Sequence, residues 1–223
     1  MTEYQIFISR PQSKNSTFRS RLEAEGLQVV GESLIQFRPL PVTKLPDADW
    51  IFFYSKKGVK YLLESADASY LNDKKLACLG PGTASFLENA GQVPDFTGNG
   101  EPQEVAAAFL HLAIGQRVVF PQAKQSRQSV QSILESQINA ISLPVYENEP
   151  RQDFELPYCQ ILVFTSPMNV SAYCSKYRIQ KGQQCVAIGS VSATALVKQG
   201  IKEVIVAEEP SEEAMARAVL QIV

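Results

Sequence analysis

The chain has 223 residues, of which 45% are hydrophobic and 20% charged, an ordinary globular composition at a length that suits two small domains. Its formal net charge is −2, which lacks the basic excess needed to bind a phosphate backbone, so nucleic acid is not expected as a partner. No apolar run approaches the roughly 18 residues of a membrane span, so no membrane association is expected.

The compartment is predicted from the N-terminus and the cysteines. The first eight residues have neither the basic region nor the long apolar core of a signal peptide. Cys78, Cys159, Cys174 and Cys185 form no CxxC pair and no zinc-ligand spacing. Cys78 and Cys185 lie in apolar, strand-like runs and are predicted to be buried thiols, which indicates a reducing cytoplasm.

Short apolar runs alternate with amphipathic stretches, a pattern that predicts an α/β fold built from βαβ units with parallel strands. The strands predicted in the first half are Tyr4–Ser9, Leu27–Ser33, Trp50–Tyr54 and Leu76–Leu79. The helices there are Ser16–Glu25, one from about Gly58, Thr83–Asn89 and Pro102–Ala113. The second-half strands are Arg117–Phe120, Ile138–Leu143, Ile161–Phe164, Cys185–Ile188 and Glu203–Ala207. The second-half helices are Ser129–Gln137, one from about Asn169, Ser192–Gln199 and Ser211–Gln221.

The two halves repeat each other. Phe53–Ser55 matches Phe164–Ser166 at an offset of 111 (166 − 55). Gly80–Ala84 matches Gly189–Ala193 at an offset of 109 (189 − 80). Further matches occur in the same order and at nearly the same offset, so the sequence predicts an internal duplication.

Two Pro-bearing, extended segments occupy equivalent places in the halves, Phe37–Leu45 and Leu143–Arg151. We interpret them as connector strands. If they run side by side, residues 1–36 and 152–223 form one discontinuous domain, and residues 46–142 form a second, inserted domain.

Ligands of a parallel α/β sheet bind at the carboxyl ends of the strands, beside helix N-termini that offer free N–H groups and partial positive charge. That rule selects Ser9-Arg10, Ser55-Lys56, Gly80–Thr83, Ser166-Pro167 and Gly189–Ser192. Capping of the helix is the alternative role for any single hydroxyl. The paired Gly-x-x-Ser/Thr-Ala motifs carry more weight together, and neither is the GxGxxG pattern of dinucleotide binding.

Acid–base residues are scarce. The single histidine, His111, lies near the end of a predicted helix and away from the strand ends, which argues against a Ser-His-Asp triad. No His/Cys/carboxylate cluster has metal-ligand spacing, so no metal is predicted. Tyr146, in the second connector, is either a phenolic donor or a packing aromatic. A site rich in hydroxyl and N–H groups suits a ligand with several carboxylates or phosphates.

Several motifs resemble those of uroporphyrinogen-III synthases, over nearly the whole chain. They are the strand–Ser-turn–helix runs Phe52–Val59 and Val163–Val170, the turns Leu79–Ala84 and Ala187–Ala193, the linker Pro144–Tyr146 and the closing segment Ala207–Ala214. The resemblance implies two flavodoxin-like parallel-sheet domains joined by a two-stranded β connector, with the active site in the cleft between them. Lys56, where a Pro is common, and Gln122, where an Arg is common, depart from the family pattern.

The resemblance also implies an activity in haem biosynthesis. Hydroxymethylbilane is closed to uroporphyrinogen III, with loss of water and inversion of the last pyrrole ring, by a monomeric cytoplasmic lyase that uses no cofactor. Tyr146 would assist departure of the hydroxyl group. The implied substrate-binding residues are Arg10, Ser55, Lys56, Gly80, Thr83, Ser166, Pro167, Gly189 and Ser192. The alternatives are a non-catalytic two-lobed protein binding a small polyanion, and a regulatory domain detached from a larger protein.

Overall fold

Parallel β-sheets covered by helices organise the chain, as seen in a computed structural model that describes residues 4–66 and 68–223. The strands are Gln5–Ile8 (β1), Gln28–Gly31 (β2), Ile35–Pro39 (β3), Trp50–Phe53 (β4), Lys75–Cys78 (β5), Phe96–Thr97 (β6), Arg117–Ala123 (β7), Asn139–Pro150 (β8), Ile161–Phe164 (β9), Gln184–Ala187 (β10) and Val204–Val206 (β11). The helices are Thr17–Ala24 (α1), Lys56–Ser65 (α2), Pro81–Asn89 (α3), Pro102–Ala113 (α4), Gln131–Leu134 (α5), Pro167–Lys176 (α6), Ser190–Lys198 (α7) and Glu212–Leu220 (α8). Within the described ranges, none of these helices combines the length and apolar character that crossing a bilayer demands.

The first compact unit comprises residues 1–36 and 149–223. Its five strands lie in the order β11-β10-β9-β1-β2, and every neighbouring pair is parallel. Successive side chains of β1 face opposite sides of the sheet, as strand geometry requires. Ile6 and Ile8 pack into one core cluster, which includes residues of α1 and α8, whereas Phe7 packs into the other, with α6 residues.

The second unit comprises residues 37–148. Its sheet has the order β3-β8-β7-β4-β5-β6, and β4 is buried along its whole length. Ile51 and Phe53 face the core under α2 and α3. Trp50 and Phe52 face the opposite core, where the ring of Phe109 on α4 lies 5.1 Å from each of their rings. Burial on both faces explains why β4 reads as a continuous apolar run.

The duplication is confirmed, and the strand pairing exchanges pieces between the repeats. β4 and β9 begin 111 apart (161 − 50), and β5 and β10 begin 109 apart (184 − 75). β1 of the first repeat pairs with β9 of the second, and β7 of the second repeat pairs with β4 of the first. The first βαβ piece of each repeat therefore completes the sheet of the other repeat.

The prediction of two buried thiols is confirmed, whereas the prediction of one helix was wrong in extent. Cys78 and Cys185 are buried, as predicted, and burial raises the pKa of each thiol to about 12. The helix predicted over residues 129–137 was wrong in extent, because only Gln131–Leu134 is helical. The backbone before α5 turns at Gln128, whose φ of 53° is outside the right-handed helical region.

Strand β8 is longer than the Ile138–Leu143 strand that the sequence predicts, and it continues to Pro150. Leu143–Arg151 was predicted to be a separate connector strand, and β8 joins most of that segment to the strand before it. Proline at residue 144 cannot donate to a sheet ladder. In the structure Pro144 lies beside a register shift, where Gln122 faces Pro144 and Ala123 faces Tyr146. An irregularity of this kind accommodates the missing donor.

Serine caps begin the two helices that follow β4 and β9, but the caps differ. Ser55 Oγ accepts one hydrogen bond, from the Gly58 N–H at 3.3 Å. Ser166 Oγ accepts two from Asn169, from its backbone N–H at 3.2 Å and from Nδ2 at 2.9 Å. Asn169 Oδ1 in turn accepts from the Leu34 N–H at 2.9 Å, so the second cap is tied to the segment between β2 and β3.

Gly58 occupies the place in α2 that Asn169 occupies in α6, at the same repeat offset as the capping serines (169 − 58 = 166 − 55), and contact with β7 accounts for the glycine. A Cβ at residue 58 would lie 2.7 Å from the carbonyl oxygen of Pro121. Because that oxygen belongs to the backbone, no side-chain rotation relieves the overlap. The helix approaches β7 closely only because residue 58 has no side chain.

We expect Gly58→Ala to lower the free energy of unfolding by about 1–3 kcal/mol, the usual cost of overpacking, although alanine is the better helix former. Gly82→Ala in α3 is the matched control, because among the described residues a Cβ there would meet only Lys56 Cε, at 3.7 Å. Urea denaturation of both variants checks the prediction. Equal stability of the two variants would contradict the close approach.

We expect Asn169→Ala to lower the free energy of unfolding by about 2–3 kcal/mol, because the buried Leu34 N–H loses its acceptor. Ser166→Ala and Ser55→Ala each remove a helix cap and are expected to cost about 1 kcal/mol. Chemical denaturation of the three variants and of the Ser166/Asn169 double variant measures the coupling. Additive losses would show that the two residues do not act together.

Candidate active site

A cavity of about 510 Å³ opens at the carboxyl ends of β4 and β5 in the second unit. Both α2 and α3 begin at this edge of the sheet, so two helix N-termini face the same space. Its lining residues are Phe37, Tyr54, Ser55, Lys56, Lys57, Leu79, Gly80, Pro81, Gly82, Thr83, Gly100 and Tyr146. Two of them are lysines and none is acidic, so the lining favours an anionic ligand.

Five of the residues that the sequence selected line this cavity together: Ser55, Lys56, Gly80, Thr83 and Tyr146. Ser55 caps α2, and Thr83 is the third residue of α3 and is mostly buried. Gly80 precedes α3 in extended backbone, and a Cβ on it would lie 3.2 Å from Gly100 Cα. Close packing of two backbone segments, rather than a special φ, therefore accounts for the glycine at residue 80.

Tyr146 reaches the cavity from β8. Its ring stacks on the ring of Tyr61, with centroids 5.1 Å apart and planes at 27°, and it lies 6.1 Å from the ring of Phe37. The side chain is 8% exposed. Among the described residues, none makes a hydrogen bond with its hydroxyl group, which leaves this donor available to a ligand.

Tyr54 is a second tyrosine at the cavity, and its hydroxyl group is engaged. It accepts a hydrogen bond from the Gln131 N–H at 2.8 Å, and burial raises the pKa of Tyr54 to about 12. The phenol is therefore neutral at physiological pH. Its ring stacks on Phe120 and forms part of the wall.

The other selected residues lie in the first unit, after β9 and β10. Ser166 caps α6 and Pro167 is the first residue of that helix. Gly189 precedes α7 in extended backbone, and a Cβ there would have no atom within 4 Å among the described residues. Ser192 is the buried third residue of α7, the position that Thr83 has in α3. Pro167 also lines a cavity of about 440 Å³ formed by residues of α6 and α7.

Arg10 follows β1 and already has an internal partner. Its guanidinium lies 3.7 Å from a carboxylate oxygen of Glu212, in the first turn of α8. The other oxygen of Glu212 accepts from the Phe18 N–H of α1 and from the Ser16 hydroxyl. Because both groups of this ion pair are partly exposed, Arg10 can still turn towards a second carboxylate at small cost.

The sequence did not single out three residues at these sites: Phe37 on β3, Lys57 in α2 and Asn169 in α6. Phe37 lies in a segment interpreted only as a connector, and Lys57 follows a lysine that was selected. Asn169 was taken as an ordinary helix residue. The internal repeat contained a signal for Asn169, because it aligns this polar residue, which is buried in the structure, with Gly58.

The described residues contain no group of three or more His, Cys, Asp or Glu side chains arranged to hold a metal ion. The groups that the turns offer are hydroxyls, helix N-termini and ammonium groups. These groups bind and orient anions, and they provide few general acids or bases.

Comparison with known proteins gives a consistent family. The family model described as uroporphyrinogen-III synthase HemD matches residues 16–217. The porphyrin biosynthesis protein HemD of Ruminiclostridium josui is 23% identical over 97% of this chain, and the chain spans 48% of that protein's length. The uroporphyrinogen-III synthase of Chlorobaculum parvum is 25% identical over 97% of this chain and 98% of the relative.

The same family is found among solved structures. The uroporphyrinogen-III synthetase of Helicobacter pylori superposes with a TM-score of 0.72 at 21% identity, covering 99% of this chain and all of the other. This likeness confirms a mixed α/β fold with parallel sheets. Together with the family match across most of the sequence, it confirms the resemblance drawn from the turn motifs: the chain belongs to the uroporphyrinogen-III synthase family.

Proposed function

We propose that the chain closes hydroxymethylbilane to uroporphyrinogen III, with loss of water and inversion of the last pyrrole ring. The observation that carries the proposal is the cavity of the second unit, whose described lining combines two helix N-termini, two lysines and an unpartnered tyrosine hydroxyl without an acidic residue. A substrate with eight carboxylates and a hydroxyl leaving group matches these features. Family membership supports the same activity rather than that of a non-catalytic binding protein.

We propose that each unit is a flavodoxin-like domain and that β3 and β8 form the connector. The strand order β2-β1-β9-β10-β11 supports this, because it is the doubly wound order of flavodoxin-like sheets. The Leu40 N–H donates to Val145 O, and the Arg151 N–H donates to Leu34 O. From Leu34 to Leu40 the residue numbers rise, while those of their partners fall from Arg151 to Val145. This order supports antiparallel connector strands.

We propose that Tyr146 assists the first chemical step. The phenol hydrogen-bonds to the hydroxyl group of the substrate and transfers its proton to that group as the C–O bond breaks, so the group leaves as water. The lone pair of the adjacent pyrrole nitrogen forms a new C=N bond, and the N–H proton of that nitrogen returns to the phenolate, which leaves a neutral azafulvene and a regenerated phenol. Tyr146 suits this role because its hydroxyl has no hydrogen-bond partner among the described residues and the ring is held by Tyr61.

The remaining selected residues are proposed to bind the substrate's carboxylates. In the second unit these are Ser55, Lys56, Gly80 and Thr83, and in the first unit Arg10, Ser166, Pro167, Gly189 and Ser192. A helix terminus or an exposed charge supplies only about 0.3–1 kcal/mol, so several must act together. Their joint effect is to hold one folded form of the substrate, because free hydroxymethylbilane closes without inversion.

We also propose a monomeric, cytoplasmic enzyme that needs no cofactor. The four cysteines are free thiols, which suits a reducing compartment. The proposed chemistry needs only a proton donor, a bound anionic substrate and exclusion of competing folded forms.

The activity is tested with freshly prepared hydroxymethylbilane, followed by oxidation of the products and chromatographic separation of the isomers. We expect the type III isomer to predominate and to form faster than spontaneous closure, with heat-denatured chain as the control. Formation of the uninverted isomer alone, at the uncatalysed rate, would overturn the proposed function.

Tyr146→Phe is expected to lower kcat by about a hundredfold, the lower end of the usual contribution of a positioned proton donor, with little change in substrate binding. Tyr70→Phe is the matched control, because that hydroxyl donates to the Pro46 carbonyl oxygen at 2.6 Å and does not line the cavity. Steady-state kinetics on both variants measure the difference. Wild-type turnover by Tyr146→Phe would remove Tyr146 from the mechanism.

A further inference from the structure

Phe37 and Lys57 line the cavity and take no part in the proposed chemical step. Phe37 is a large aromatic residue of β3 that remains 38% exposed. The ammonium group of Lys57 lies 4.1 Å from the centroid of its ring, and both residues line the cavity. The ammonium group lies over the ring and uncovers it when Lys57 turns to a carboxylate, so the two side chains together suit a flat, anionic ligand.

Phe37 is held in a defined position relative to Tyr146. Their ring centroids lie 6.1 Å apart with planes at 57°, and Tyr146 stacks on Tyr61. The Tyr61 hydroxyl donates to the carbonyl oxygen of Phe37 at 3.4 Å, which links the backbone of β3 to α2. A ligand ring resting on Phe37 therefore lies next to the hydroxyl-bearing residue of the site.

Lys57 is available to a carboxylate. The residue is exposed, and within residues 4–66 and 68–223 no acidic side chain pairs with it. Its contact with the Phe37 ring is weaker than the charge-assisted hydrogen bond that a carboxylate would offer. Lys60, one turn further along α2, lies instead 3.8 Å from Glu64 and is outside the cavity lining.

Comparison of the two repeats shows that the lysines after the capping serine belong to the second unit alone. Lys56 and Lys57 correspond to Pro167 and Met168 at the repeat offset of the capping serines (167 − 56 = 166 − 55). The corresponding turn of the first unit therefore has no positive side chain at these two places. The two repeats have kept the serine cap in common and differ in the charge beside it.

We propose that Phe37 and Lys57 bind the pyrrole ring of hydroxymethylbilane that carries the hydroxymethyl group. The ring packs against Phe37, Lys57 pairs with a carboxylate of the same ring, and the leaving hydroxyl then faces Tyr146. This inference rests on the proposed function and adds to it which end of the substrate the second unit holds. Lys57 and Phe37 are thus residues that determine the substrate's orientation.

Lys57→Met and its control Lys60→Met test the ionic part. We expect Lys57→Met to raise KM by about fivefold to tenfold with kcat within about twofold, and to weaken the dependence of kcat/KM on salt. Lys60→Met is expected to match the wild-type enzyme. Equal KM values for the two variants, with equal urea midpoints, would overturn the role of Lys57.

Phe37→Leu tests the stacking part and keeps the carbonyl group to which Tyr61 donates. We expect kcat to fall about tenfold and the share of uninverted isomer to rise, because a poorly held ring closes spontaneously outside the productive geometry. Unchanged kcat and isomer ratio would contradict the stacking role.

Binding of uroporphyrin III, a fluorescent macrocycle with the same eight carboxylates, separates the two proposals. We expect Lys57→Met to weaken its binding by about fivefold relative to Lys60→Met. If the wild-type chain produces type III isomer and the two lysine variants behave alike, only the role of Phe37 and Lys57 is overturned. If the wild-type chain produces no type III isomer, the proposed function is overturned, and with it the assignment of the substrate's end.

Discussion

Parallel pairing of β4 with β5, and of β9 with β10, is the constraint on which the candidate site depends. Parallel strands require a helix to return the chain, so each strand ends where the next helix begins, and within each sheet these turns share one edge. The β7–β4 and β1–β9 pairings complete the two sheets across the repeats. Loss of either pairing would expose buried strand edges and separate the turns from the cores that support them.

The chemistry available at these turns follows from that edge. Helix N-termini and serine hydroxyls provide donors without titratable groups, and the two lysines after Ser55 add charge where the lining has no acid. A site of this kind selects a substrate's shape more than it transfers protons. This suits a reaction whose uncatalysed course already closes the ring, so that the enzyme must favour one geometry over another.

The two repeats have diverged at the residue three positions after the capping serine. Gly58 lets α2 approach β7, whereas Asn169 donates two hydrogen bonds to Ser166 Oγ of its own turn and accepts one from the Leu34 N–H. One turn is thus positioned by close backbone packing and the other by a buried hydrogen-bond network. Both solutions hold a serine at a strand end, and they respond to mutation in different ways.

Buried parallel strands leave short apolar runs that are easy to recognise, as in Trp50–Phe53 and Ile161–Phe164, and periodicity and repeat offset are local properties of the chain. The α/β class, the duplication and the turns that carry Ser55 and Thr83 were therefore predictable. The ends of helices and strands, and the set of residues that line one cavity, depend instead on contacts with residues far away in the chain. The helix expected over residues 129–137 is confined to Gln131–Leu134, and β8 continues past Pro144 beside a register shift. Phe37 lies on β3 and Lys57 on α2, and both line the cavity. They meet only because strands far apart in the chain pair with each other, and no single stretch of sequence encodes such pairing.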